Sequence, residues 1–336
     1  MADASEPRDA HRLQWARAAL GDPGATLQRA SMDAGFRSYW RATTAGGTRI
    51  VMDSPPDKDD VRPWLRVRAL LRTGGVRVPE VLAGDEAAGF LLLEDLGVDT
   101  LLQVLDDANA DTLFDAACAQ LWALQAIAPP DWLPRYDAAL LMRELRLFDT
   151  WFLERHLGVA LDAQAHDALA DVYATLVARA LAQPQVLVHR DFMPRNLMPA
   201  ADGPAVLDFQ DAVVGPIAYD PLSLFKDAFL SWPQPRVDAW LDRYHAGARS
   251  RGLPVPARDV FAADVDLIGV QRHLKVLGIF ARLHHRDDKP RYLADAPRFL
   301  AYLDGVLPRH AQLAPLAALI DRQVRPALAA AAGASP

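Results

Sequence analysis

In the stretch VLVHRDFMPRNLMPAADGPAVLDFQD, from Val186 to Asp211, Asp191, Asn196 and Asp208 stand among short apolar runs. An amide oxygen and a carboxylate are hard oxygen donors of the kind that hold Mg²⁺, with water and phosphate oxygens completing the shell. Ala200-Ala201-Asp202-Gly203-Pro204 is a turn signal, so the apolar runs on either side read as the arms of a hairpin. Centred on Asp202, that hairpin sets Leu197 opposite Leu207 and Asn196 opposite Asp208, about 5 Å apart across the ladder. Asp191 lies five residues before Asn196, on the loop entering the hairpin. There it can accept a proton from an attacking hydroxyl without binding the metal. His189 reads as a brace for this loop through hydrogen bonding. Asp220, in AYDPLSL, either caps the helix that follows or holds the loop in place.

These groups need a frame, and the chain supplies two kinds. After an amphipathic helix at about His11 to Leu20, the region from Leu27 to Gly97 is rich in strand signals. RSYWRAT and TRIVMD flank Ala45-Gly46-Gly47, a hairpin turn. DDVRPWLRVRALLRTGG reads as a helix stopped by Gly74 and Gly75, and EVLAG and GFLLLEDLG are two more strands. From Asp99 onward the apolar spacing is helical, near 110–127, 137–157 and 161–182, with the longest helix near 257–285. The spacing predicts an α+β chain with a small β-rich lobe over residues 1–97 and a large helical lobe over 98–336.

Composition narrows the partners. The chain has 336 residues, 51% hydrophobic and 24% charged, enough for a sizeable core in each of two lobes. Its net charge of −7 argues against nucleic acid or an anionic membrane as the main partner, because phosphate binding needs surplus cations. A single cysteine, Cys118, lies in an apolar helical pattern and reads as a buried thiol. With no basic-then-apolar leader and no run of eighteen apolar residues, the expected location is cytoplasmic.

His189-Arg190-Asp191, then Asn196, then Asp208-Phe209 resembles the catalytic and metal-binding loops of the protein-kinase-like fold. VHRDFMPRNLM followed by VLDFQDAVVGPIAYDPLSL more closely resembles the aminoglycoside phosphotransferase family. That resemblance implies a two-lobed fold, ATP as phosphoryl donor, Asp191 as catalytic base, and Asn196 and Asp208 as Mg²⁺ ligands. Within it, RIVMDSPPDKDDVRPW, GFLLLEDLG and QRHLKVLGIFARL are similar to bacterial anomeric sugar kinases of cell-wall recycling. The implied reaction moves the γ-phosphoryl of ATP to the C1 hydroxyl of N-acetylmuramate or N-acetylglucosamine, giving a sugar 1-phosphate.

The small lobe departs from the kinase pattern. The residue aligned with the phosphate-holding lysine of the third strand is Asp53, and the following helix has no glutamate to pair with one. Arg37, Arg41, Arg49 and Lys58 are candidate replacements for the lysine, and each is also a plausible surface cation. The loop MDAGFRSYW offers Gly35 and Ser38 to the nucleotide phosphates by its position between the first two strands. The segment from Glu94 through Leu96 to Gly97 offers backbone groups to adenine, or is an ordinary strand end.

Only eleven residues separate Asp208 from Asp220, too few for a long activation segment, so the expected acceptor is a small molecule. VDLIGVQRHLKVLGIFARLHH puts Arg272 and Lys275 on one helix face. They either meet an acceptor carboxylate or form a solvated basic face. An antibiotic or amino-alcohol acceptor would be cationic instead. A nucleotide-binding pseudokinase is the alternative that the missing lysine and glutamate raise, while the complete set Asp191, Asn196 and Asp208 favours a relocated cation over loss of transfer.

Overall fold

The computed structural model describes residues 5–30 and 36–333. The strands are β1 (Thr26–Arg29), β2 (Ser38–Thr44), β3 (Gly47–Asp53), β4 (Val81–Asp85), β5 (Phe90–Glu94), β6 (Gln185–Val188), β7 (Leu197–Met198), β8 (Ala205–Val206) and β9 (Val213–Pro216). The helices that position the site are α1 (Ser5–Leu20), α2 (Val61–Thr73), α3 (Leu101–Val104), α4 (Ala110–Ala126), α5 (Ala138–Leu147), α6 (Ala163–Ala182), α7 (Tyr219–Phe225), α8 (Gln234–Ser250), α9 (Arg258–Asp287) and α10 (Ala296–Val306). The chain forms two compact units, residues 1–127 with 194–211, and residues 128–193 with 212–336. Among the described residues, no helix is long and apolar enough to cross a membrane.

The first unit is built on an antiparallel sheet of order β1-β2-β3-β5-β4. Alternation along β2 and β3 sets Ala42 and Val51 on one face, where Leu92 of β5 and Ala16 of α1 complete a small core. The β2–β3 turn is Ala45-Gly46, with Thr44 opposite Gly47. Asp60 caps α2 by accepting from the Arg62 N–H. At its other end, a Cβ on Gly74 would lie 2.2 Å from Ile127 Cγ1, so only glycine lets the end of α4 pack there. Gln120 of α4 accepts from the Arg77 N–H at 2.8 Å, and Arg77 pairs with Asp202 at 3.1 Å. These contacts carry α4 and the β7–β8 hairpin with the sheet. The compact unit therefore runs past the expected boundary at residue 97.

The second unit is packed around α9, a 30-residue helix that is buried over most of its middle turns. At Gly278 a Cβ would fall 2.3 Å from the Leu147 backbone, so the glycine allows α9 to cross the end of α5 at backbone distance. Phe148–His156 continues α5 with π-helical hydrogen bonding. The short β6–β9 ladder and the wholly buried α7 complete the frame that carries His189, Arg190 and Asp191.

Candidate active site

Val188 pairs with Val213 at the end of the β6–β9 ladder, and His189 follows directly. Arg190 then has φ of 75°, a left-handed conformation that a long side chain adopts only where its surroundings hold it. Asp220, in the first turn of α7, supplies that hold. Its Oδ2 accepts from the His189 N–H at 2.7 Å and its Oδ1 from the Arg190 N–H at 3.0 Å. Desolvation pushes the wholly buried Asp220 carboxyl up to about 6, against the pull of His189 and the two backbone donors. His189 Nδ1 accepts from the Asp191 N–H at 3.2 Å. The Asp191 side chain remains 42% exposed.

A cluster of buried charge braces this loop. Arg272 Nη1 donates to the Arg190 carbonyl at 3.1 Å and the Tyr219 hydroxyl at 3.3 Å, and stands 3.6 Å from the Asp191 carboxylate. Arg190 Nη2 donates to Glu144 Oε1 at 2.5 Å, and Lys275 Nζ lies 3.3 Å from the same oxygen. Tyr136 donates its hydroxyl to Glu144 Oε2, and Gln271 Nε2 donates to that oxygen at 3.3 Å. Desolvation works against an ionised Asp191, but Lys275 and Arg272 outweigh it and hold the carboxyl below its ordinary range. Arg272 and Lys275 are 2% and 5% exposed, which excludes the solvated basic face. Glu144 was not singled out from the sequence. The available signal is its place with Leu141, Leu145 and Phe148 on the buried stripe of α5, where an acid needs partners.

In the first unit, β7 and β8 pair Leu197 with Val206 and Met198 with Ala205. Leu207 N–H donates to the Asn196 carbonyl at 2.8 Å, so Asn196 faces Leu207, not Asp208. This register is one residue away from the sequence expectation. The Gly203 N–H donates to the Ala200 carbonyl at 3.2 Å, a turn that moves the centre of the hairpin to between Ala201 and Asp202. Asp208 lies beyond the paired residues and is itself left-handed, with φ of 59°. Phe209 anchors this bend, being fully buried with its ring 5.0 Å from Trp64. Asp208 is exposed, and its Oδ1 accepts from Gln210 Nε2 at 2.7 Å.

The Asn196 and Asp208 side chains offer oxygen acceptors. Among the described residues, no three or more His, Cys, Asp or Glu side chains converge to hold a metal alone. A small oxygen set fits Mg²⁺, which retains water and takes phosphate oxygens from a nucleotide.

The remaining expected residues have definite neighbours. Asp53, in the lysine's place, is 2% exposed and binds Arg8 at 2.6 Å and Arg12 at 2.9 Å, fastening α1 to the sheet. Arg37 pairs with Asp59 at 2.5 Å and Arg41 with Asp95 at 2.6 Å. Arg49 donates to the Thr48 carbonyl at 2.6 Å, while the exposed Lys58 lies 3.6 Å from Asp57. Glu94 pairs with Arg77 at 2.5 Å, and Leu96 is half-buried. Ser38 accepts from the Trp40 indole at 2.9 Å. Gly35 lies outside the described residues.

A family model described as a phosphotransferase enzyme family matches residues 26–260. The chain belongs to that family. It is an ATP-dependent kinase. A relative from Pseudomonas aeruginosa, named N-acetylmuramate/N-acetylglucosamine kinase, is 51% identical over 299 residues, covering 89% of this chain and 88% of the relative. A protein of the same name from Neisseria meningitidis is 44% identical, with 91% and 93% covered. Among solved structures, choline kinase LicA from Streptococcus pneumoniae aligns with a TM-score of 0.63 at 15% identity, over 88% of this chain and 99% of that one. ADP-bound aminoglycoside phosphotransferase APH(2'')-Ib aligns at 0.59 and 15% identity, over 88% and 97%. At such identities the likeness speaks for the fold, a two-lobed α+β protein-kinase-like one.

Proposed function

We propose that this kinase transfers the γ-phosphoryl group of ATP to the anomeric C1 hydroxyl of N-acetylmuramate and N-acetylglucosamine, giving sugar 1-phosphates for peptidoglycan recycling. The observation that carries the acceptor is the 51% identity, over 89% of this chain, to a relative named for those two sugars. Asp191 orients the attacking hydroxyl and takes its proton as the phosphorus–oxygen bond forms. Arg272 and Lys275 keep that carboxylate ionised, which supports its role as acceptor of the proton. Asn196 and Asp208 hold Mg²⁺, which when bound neutralises phosphate charge. Gly35, Ser38, Glu94 and Leu96 contribute to the nucleotide site. Arg272 and Lys275 serve the acceptor side indirectly, through Asp191 and the Arg190 backbone.

The test is a panel of N-acetylmuramate, N-acetylglucosamine, glucose, kanamycin and choline with Mg-ATP, the product position being read by phosphorus NMR. The two N-acetylated sugars are expected to give an anomeric phosphate signal. A C6 phosphate would reject the anomeric assignment, and preferred turnover of kanamycin or choline would reject the sugar.

A further inference from the structure

The helix α7 braces the catalytic loop at one end through Asp220 and finishes at Lys226 at the other. Lys226 is 4% exposed, and its ammonium has no hydrogen bond or ion pair among the described residues. It stands 5.8 Å from the centre of the Tyr302 ring. Asp227 is 1% exposed; its Oδ2 accepts from the Phe229 and Leu230 N–H groups at 3.1 and 3.2 Å, while its Oδ1 has no partner. His273, on α9 beside Arg272, stacks on Tyr302 at 5.0 Å and has neither ring nitrogen hydrogen-bonded.

This group is unlike the other buried charges of its unit. Lys275 is matched by Glu144, Arg272 lies by Asp191, and Arg179 meets Asp264 at 2.6 Å. Lys226 and Asp227 are adjacent in the chain and do not neutralise each other. Among the described residues no carboxylate lies within ion-pair distance of the Lys226 ammonium; Asp266 and Asp238 favour its charge from farther away without offsetting the cost of burial, and a ligand anion in direct contact would offset it. The same two helices, α7 and α9, also carry the groups that brace Asp191.

We propose that Lys226 and Asp227 form an acceptor-binding subsite in which the Lys226 ammonium takes a carboxylate of the acceptor. The inference rests on the sugar-kinase reading above. N-acetylmuramate differs from N-acetylglucosamine by a lactyl ether, which ends in one carboxylate. One ammonium that touches no carboxylate suits one carboxylate of the ligand, and Asp227 Oδ1 with the His273 nitrogens is left for hydroxyl and amide groups that both sugars share.

The experiment compares kcat/KM for N-acetylmuramate, its lactyl carboxamide and N-acetylglucosamine in the unaltered protein, in Lys226→Met and in the charge-retaining Lys226→Arg. The unaltered protein should prefer the acid over the carboxamide by about tenfold or more. Lys226→Met should lose that preference, and its ratio of N-acetylmuramate to N-acetylglucosamine should fall by a similar factor. Thermal unfolding checks that the variant is folded; if Lys226→Met is not, Lys226→Arg decides, with a reduced acid-to-carboxamide ratio expected. An unchanged ratio in a folded variant, equal loss for both sugars, or no acid preference in the unaltered protein leaves Lys226 a structural ammonium bridged by internal water and overturns the proposal. Failure of the unaltered protein to phosphorylate either sugar overturns the sugar-kinase reading instead, and this inference with it.

Discussion

Asp191 and Asp208 are both acids on loops beside short strands, and their surroundings are opposite in kind. Asp191 follows a strained Arg190 held by Asp220, with Arg272 3.6 Å from its carboxylate. Asp208 is exposed, and its carboxylate accepts from the neighbouring Gln210. Its position is set by its left-handed backbone and the buried Phe209 ring after it. A group that must aim at one hydroxyl in the ionised state gains from rigid, charged surroundings. A metal ligand needs lone pairs that its own protein leaves open.

The contrast can be broken first at Asp191. Asp191→Asn should lower kcat by about 10²- to 10⁴-fold in steady-state assays while ATP affinity by calorimetry stays within about twofold. A parallel fall in ATP affinity would move this residue to the nucleotide side. Asp208→Asn, which keeps a residue suited to the left-handed backbone, should shift the Mg²⁺ concentration for half-maximal turnover upward by about 10- to 100-fold, with urea stability changed by no more than about 0.5 kcal/mol. Glu144→Ala should do the reverse, lowering urea stability by about 3–5 kcal/mol because Arg190 and Lys275 lose their buried counter-charge. A loss under about 1 kcal/mol would show that water compensates those cations and that the bracing is weak.

A smaller effect should appear in the pH dependence. The folded Asp220 carboxyl lies at about 6, above its unfolded value of about 3.9, so its stabilising contribution is present below about pH 4 and lost as pH rises through 6. Relative to Asp220→Asn, the unaltered protein should lose roughly 2–3 kcal/mol between pH 4 and 7 in urea unfolding. A flat difference would mean that the two backbone donors offset burial. Asp191 has the opposite sign: its depressed carboxyl contributes stability that is lost as pH falls.

The elements were largely legible because alternation and helical spacing record burial residue by residue. Ser38–Thr44 and Gly47–Asp53 flank the expected turn, and the long helix expected near 257–285 spans Arg258–Asp287. The first helix begins at Ser5, earlier than its apolar pattern suggested, because Arg8 and Arg12 face Asp53 as ion partners. The hairpin register was not legible, since its centre depends on how Gly203 and Ala200 close the turn. The surroundings of Arg272 and Lys275 were hidden for another reason. Cations three apart look the same on a wet face as on a buried one until Glu144 and Tyr219 are brought to them.

By itself, the order His189, Arg190, Asp191, Asn196, Asp208 determined the proposed assignment of one base and two metal ligands, because those roles call for such side chains at short chain separations. Only the tertiary structure decided what holds Asp191, the proposed base, in place. Glu144, Asp220, Arg272 and Lys275 lie from 29 to 84 residues from Asp191 in the chain. Charge pairing out of water acts through space and leaves no fixed spacing in the sequence. The same distinction separates Lys226 from Lys275: both are buried lysines, and only the folded chain shows that one touches Glu144 while the other, among the described residues, touches no carboxylate.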